Sequence, residues 1–125
     1  MTSQIPLPKT GHRVPVIAAG SGPRLARRGL VSYCQLAYNN VFPSLVLFPH
    51  HFEYRVILKS SKKYSEIQEV WTRPLPPNLS LGDYHQLCIA FKGSWWGITL
   101  VLEESILKST LSALEHLGVV IVSSN

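Results

Sequence analysis

The residues of this 125-residue chain best suited to chemistry sit close together: His50 and His51 are adjacent, and Arg55, Lys59, Lys62 and Lys63 follow soon after. Imidazoles bind transition metals or move protons, whereas clustered ammonium and guanidinium groups hold phosphate. Adjacent histidines on an extended chain point to opposite faces and cannot chelate one metal from one side; in a turn they could, if His85 or Glu53 came near. No ligand spacing supports a metal, and no cofactor is expected. The chain contains no GxSxG elbow, HExxH helix, P-loop or GxGxxG turn, so no catalytic residue is assigned and it is not read as an enzyme. His12 and His116 have no visible partner in the sequence.

The formal net charge is +5, and its placement matters more than its size. Residues 1–28 carry Lys9, Arg13, Arg24, Arg27 and Arg28 with no acid, whereas residues 29–125 balance seven basic against seven acidic side chains. A nucleic-acid reading needs a basic face interleaved with aromatics, so nucleic acid ranks below other partners. Cys34 and Cys88 lack CxxC spacing and read as small strand residues, with a disulfide open only if their strands are neighbours. Asn78-Leu79-Ser80 matches a glycosylation acceptor, but no export signal accompanies it. The apolar run 14–19 is interrupted by Pro15 and too short for a membrane span or a signal-peptide core. Cytoplasmic location is expected, with contact at a membrane surface as an option.

The elements that must position these residues are mainly β. With 46% hydrophobic and only 15% charged residues, most of the chain must fold, and its length fits one domain over residues 29–125. Residues 1–28, rich in proline and glycine, read as a basic tail. Strands are expected over 30–38, 41–48 and 52–58, the last alternating Phe52, Tyr54, Val56 and Leu58 against Glu53, Arg55 and Ile57. Lys59 to Lys63 reads as a hairpin connection. Ile67 and Val70, three apart, require a kink over 65–68 before the strand continues. A proline-rich loop runs from Arg73 to Asp83, and strands over 85–92 and 95–102 flank a Gly93-Ser94 turn. After Glu103-Glu104 the period becomes helical, with Leu107, Leu111 and Leu114 on one stripe and Gly118 as a left-handed cap. Residues 119–122 form a last short strand, at an edge or across a partner molecule.

The fold class is therefore mainly β with one C-terminal helix (α+β), a bent antiparallel roll or barrel of six to seven strands plugged by the helix. The run LVLFPHHFEYRVILKSSKKYSEIQEV resembles the opening hairpins of bacterial pleckstrin-homology-like (PH-like, GRAM-like) domains. FKGSWWGITLVLEESILKSTLSALEHLG looks like the closing strand and helix of the same group, and together they cover roughly residues 30–118. The basic N-terminal stretch and the strand after Gly118 depart from that family's pattern. The resemblance implies a binding or scaffolding module, often assembled into rings through sheet edges.

Two binding surfaces follow from these readings. Trp95, Thr99 and Val101 alternate onto the outer sheet face, where a protein partner or the N-terminal tail would cover them, and Val120 and Val122 offer a terminal strand for contact with further copies. The leading expectation is a non-catalytic module acting through protein contacts, including self-assembly. The alternative is anionic lipid or phosphoinositide recognition through Arg55, Lys59, Lys62 and Lys63, since the first hairpin loops of membrane-binding PH domains use basic residues this way.

Overall fold

The computed structural model describes residues 7–23, 43–56, 58–74, 83–94 and 96–122. These residues form β1 (His12–Val14), β2 (Ala18–Pro23), β3 (Ser44–Leu47), β4 (His51–Arg55), β5 (Lys59–Lys63), a 3₁₀ turn (Tyr64–Glu66), β6 (Ile67–Pro74), β7 (Tyr84–Phe91), β8 (Trp96–Glu103) and α1 (Glu104–His116). The strands make two four-stranded antiparallel sheets, β1-β3-β4-β5 (sheet A) and β2-β8-β7-β6 (sheet B). The expected class, mainly β with a C-terminal helix, is what the described residues show. The bent roll or barrel of six to seven strands is corrected in two respects: the described residues hold eight strands, and these divide into two sheets that do not close into a barrel.

One core joins the sheets and the helix. Leu45, Leu47, Phe52 and Tyr54 of sheet A meet Val70, Leu87, Ile89, Phe91, Leu100 and Leu102 of sheet B in a single cluster that also takes in Leu107 and Leu114. Aromatic rings bridge the sheets: Phe52 and Tyr54 lie 6.3 and 5.8 Å from the Phe91 ring, and Tyr64 lies 5.6 Å from Phe52. Such offset ring pairs add to the burial of their large apolar areas.

The N-terminal stretch takes a larger part than its composition predicts. β1 pairs with β3, and β2 pairs with β8 over six residues, so residues 12–14 and 18–23, read above as tail, belong to the two sheets. Periodicity could not reveal this, because a three-residue strand and an Ala/Gly strand lack an apolar alternation to detect. The expected strand over 30–38 lies outside the described residues, as do residues 75–82 of the expected loop from Arg73 to Asp83; Arg73 and Pro74, read as its start, instead pair in β6 with Gln86 and His85.

Helix α1 forms where the period changes. Leu107, Thr110, Ala113 and Leu114 are buried, with Ile106, Leu111 and Leu117 half-buried on the same core, which gives the stripe a helix needs to dock on β7 and β8. At its start the Glu104 N–H donates to the Asp83 carbonyl at 2.7 Å. At its end Gly118 takes φ +90°, Val119 N–H donates to Leu114 O and Gly118 N–H to Glu115 O, each at 3.0 Å. That is the double bond pattern by which a left-handed glycine satisfies terminal carbonyls.

Gly118 also aims the chain back at sheet B. Val70 N–H donates to Val120 O at 2.9 Å, and Val122 N–H donates to Val70 O at 2.8 Å. The terminal segment therefore runs parallel to β6 as a strap on its outer edge.

The second face of sheet B is buried too. Trp71, Cys88 and Ala90 cluster there with Val122, and Gln86 and Thr99 are fully buried. The Thr99 hydroxyl donates to Cys88 Sγ at 3.8 Å. Neither polar atom of the Gln86 amide has a hydrogen-bond partner, nor does Trp71 Nε1. A buried amide without partners costs about 1–3 kcal/mol. Replacing Gln86 by the near-isosteric Met is therefore expected to raise the urea midpoint, by about 1 kcal/mol of stability once the altered packing is included. Leu114→Ala, by contrast, opens a cavity under the helix and is expected to cost about 2–5 kcal/mol in the same experiment.

Candidate functional site

The basic residues singled out in the sequence lie on the β4–β5 hairpin. Arg55 pairs with Lys59 and His51 with Lys63, so the last pair before the tip is Arg55–Lys59 and Lys59 to Lys63 is a strand, correcting its reading as a connection. Leu58, expected on the buried face, is 78% exposed because the chain turns before it can continue the β4 alternation. The hairpin ends in a bare leucine bracketed by Arg55 and Lys59.

Strand alternation splits the basic set. On β4 the residues Phe52 and Tyr54 face the core, leaving His51, Glu53 and Arg55 outward; on β5 the exposed positions are Lys59, Ser61 and Lys63. Lys62 faces the other way, with its ammonium 5.3 Å from the centre of the Phe91 ring. Arg55, Lys59 and Lys63 thus share one face and Lys62 does not. β1 adds Arg13 to that face through its pairing with Val46, which is itself opposite Glu53. Four cations share the outer face with one carboxylate on these strands. That carboxylate, Glu53, lies 3.3 Å from Lys59 Nζ, an exposed ion pair that contributes little and is easily exchanged. The Arg55 Nε is buried and lacks a hydrogen-bond partner.

At the opposite end of the hairpin the turn Phe48–His51 and the 3₁₀ turn enclose an open concavity of about 420 Å³ lined by His50, His51, Ser61, Lys62, Lys63 and Glu66. Its walls are fixed by specific contacts. Phe48 N–H donates to His51 O at 2.8 Å, the Phe48 and His51 rings stack at 4.5 Å with planes 6° apart, and the Tyr64 hydroxyl donates to Phe48 O at 2.6 Å. Glu66 Oε2 accepts the Lys63 backbone N–H at 2.9 Å, while its Oε1 lies 4.0 Å from Lys62 Nζ. Beside the turn, Gly11 at φ +94° packs so tightly that an added Cβ would stand 2.5 Å from Val46 Cγ1 and 2.8 Å from the Phe48 ring. The N-terminal stretch therefore braces the outer face.

The proposed protein-contact residues are not brought together on an open surface. Thr99 and Val101 are buried, with 0% and 2% exposure, so the second face of sheet B is covered within the chain at these positions. Trp95 lies outside the described residues, as does Cys34. Val120 is 57% exposed at the strap, whereas Val122 is half-buried against the Trp71 cluster. The terminal strand was expected at an edge or across a partner, and it occupies the edge of its own sheet.

Among the described residues no group of three or more His, Cys, Asp or Glu side chains could hold a metal ion. No helix among them is long and apolar enough to cross a membrane. Four participants were missed as site residues from sequence: Arg13, Leu58, Phe48 and Glu66. Only Glu66 carried a legible signal, the three-residue spacing from Lys63 that lets an acidic side chain reach back to a backbone N–H at a helical turn.

Tyr64 couples the site to the core. Burial raises its phenol well above the ordinary value of 10.0, against the lowering effect of its bond to Phe48 O, and burial likewise raises Tyr54. A phenol raised in the folded state contributes stability that is complete below the unfolded pKa near 10 and is lost as pH rises above it. Urea midpoints measured between about pH 8 and 11 are expected to fall steeply above pH 10. Tyr64→Phe is expected to flatten that slope, leaving the Tyr54 part, while costing about 0.5–1.5 kcal/mol at neutral pH for the lost bond. Comparison of the chain with protein-family models, with curated proteins and with solved structures returns no match, so the site is read from its own geometry.

Proposed function

We propose that this chain is a non-catalytic, PH-like binding module that docks peripherally on an anionic membrane surface through the tip of the β4–β5 hairpin. The observation that carries this reading is Leu58, a large apolar side chain 78% exposed between the paired cations Arg55 and Lys59. In water such a leucine is a liability; in the interfacial region of a bilayer its transfer is worth about 1.5–3 kcal/mol. Cations near an anionic leaflet add about 1 kcal/mol each. Leu58 with Arg55 and Lys59 thus supplies about 3.5–5 kcal/mol, in the millimolar to sub-millimolar range, appropriate to reversible docking. Arg13 and Lys63, on the same outer face, strengthen the attraction at low salt.

A scaffolding role with self-assembly is a second reading, favoured by Val120, exposed on the strap at the sheet B edge. The other end of the hairpin system argues for less edge pairing: β5, the outer strand of sheet A, carries Lys59, Lys62 and Lys63, the type of residue that blunts strand-to-strand association.

Co-sedimentation with phosphatidylserine-containing vesicles tests the membrane reading. The wild-type chain is expected to bind, with affinity falling as salt rises, and Leu58→Ser and Lys59→Glu are each expected to weaken binding several-fold or more without changing the thermal midpoint by more than a few degrees. Equal sedimentation of wild type and Leu58→Ser, or binding of neutral phosphatidylcholine vesicles as strong as that of anionic ones, would overturn it. A concentration-dependent dimer abolished by Val120→Lys would favour assembly instead.

A further inference from the structure

We infer that the concavity between the Phe48–His51 turn and the 3₁₀ turn is an oxyanion site that takes a phosphomonoester, separate from the membrane-facing tip. Its volume, about 420 Å³, lies in the range of small-ligand pockets, enough for a phosphate group with a short ester carrier. The lining is made of donor-bearing residues: Lys63, His51 and Ser61 from the outer face, His50 from the turn, and Lys62 at the edge, its ammonium lying over the Phe91 ring. Glu66 is the one acceptor-only side chain among them, and its carboxylate is engaged by the Lys63 backbone N–H and lies beside Lys62. It ties the Lys63 backbone to the 3₁₀ turn and faces the Lys62 ammonium.

Donors converging from the turn and from β5 suit a dianion with three terminal oxygens better than a planar carboxylate, which is satisfied by one bidentate partner. A metal is a poor fit, since no suitable trio of ligands is present among the described residues. The site is also held in shape before any ligand arrives. Stacking on Phe48 fixes the plane of the His51 ring and leaves its edge nitrogens for hydrogen bonding, and Tyr64 fixes Phe48 in turn. Lys62 is steadied over Phe91. The four residue steps from Lys59 to Lys63 set this end of the hairpin about 14 Å from the tip, so the two ends can act independently. This inference therefore does not rest on the membrane reading.

Titration of the ¹⁵N-labelled full chain with O-phosphoserine, followed by amide shifts and matched with sodium chloride at equal ionic strength, tests the site. Saturable shifts confined to residues 50–51 and 61–66 are expected, with Lys63→Gln weakening binding about tenfold and Leu58→Ser leaving it unchanged. His50→Gln, at an exposed position away from the core, is a second variant expected to weaken binding should Lys63→Gln fold poorly. Shifts that grow linearly, that chloride reproduces, or that survive both variants would overturn the proposal. Silence toward O-phosphoserine with binding only to phosphatidic acid vesicles would also overturn it, assigning the anion response to the membrane surface.

Discussion

Four aromatic rings, Phe52, Tyr54, Tyr64 and Phe91, form the contact on which the arrangement of the two sheets depends. They come from β4, the 3₁₀ turn and β7, so their mutual burial ties sheet A to sheet B at the end where the β5 strand gives way to β6. Ring pairs of this kind prefer a narrow range of separations and offsets, which makes the contact directional as well as adhesive. Its reach extends past the core. Tyr64 donates outward to Phe48 O, Phe48 stacks on His51, and Lys62 rests over Phe91, so surface donors inherit their positions from buried rings.

The same hairpin combines a rigid end and a bare end. At the rigid end, backbone bonds, a stack and a braced carboxylate hold several donors around one concavity. At the bare end, an exposed leucine stands between two paired cations. A polar surface with one apolar projection and a polar surface with a fixed basic recess are different devices, and the antiparallel register keeps them apart while making both from fewer than twenty consecutive residues.

Much of the fold was legible because its period is strong where burial is one-sided or helical. Phe52, Tyr54 and Val56 alternate inward as read, the kink before Glu69 appears as the 3₁₀ turn and a register shift between Ile67 and Glu69, and the leucine stripe of α1 docks as its spacing implied. The failures share a physical cause: neighbours in space decided them. Lys59 to Lys63 looks like a loop by composition, yet pairing with β4 makes it a strand. Thr99 and Val101 looked outward by alternation, but alternation cannot say whether the second face of a sheet is covered. Arg13 joined the basic face only through the β1–β3 pairing, a long-range event with no local trace. Of the candidate site, the cation positions could be read, while the division of those cations between two faces needed the register.

The strap formed by residues 120–122 has a consequence for how the chain is made. Its hydrogen bonds go to Val70, some fifty residues earlier, so during synthesis the outer edge of β6 emerges from the ribosome long before its cover does. For several seconds, at ordinary elongation rates of about 5–20 residues per second, the nascent chain presents an uncapped strand ending near a tryptophan. Neighbouring polysome chains would meet that strand first, which makes translation speed over the helical segment a determinant of yield.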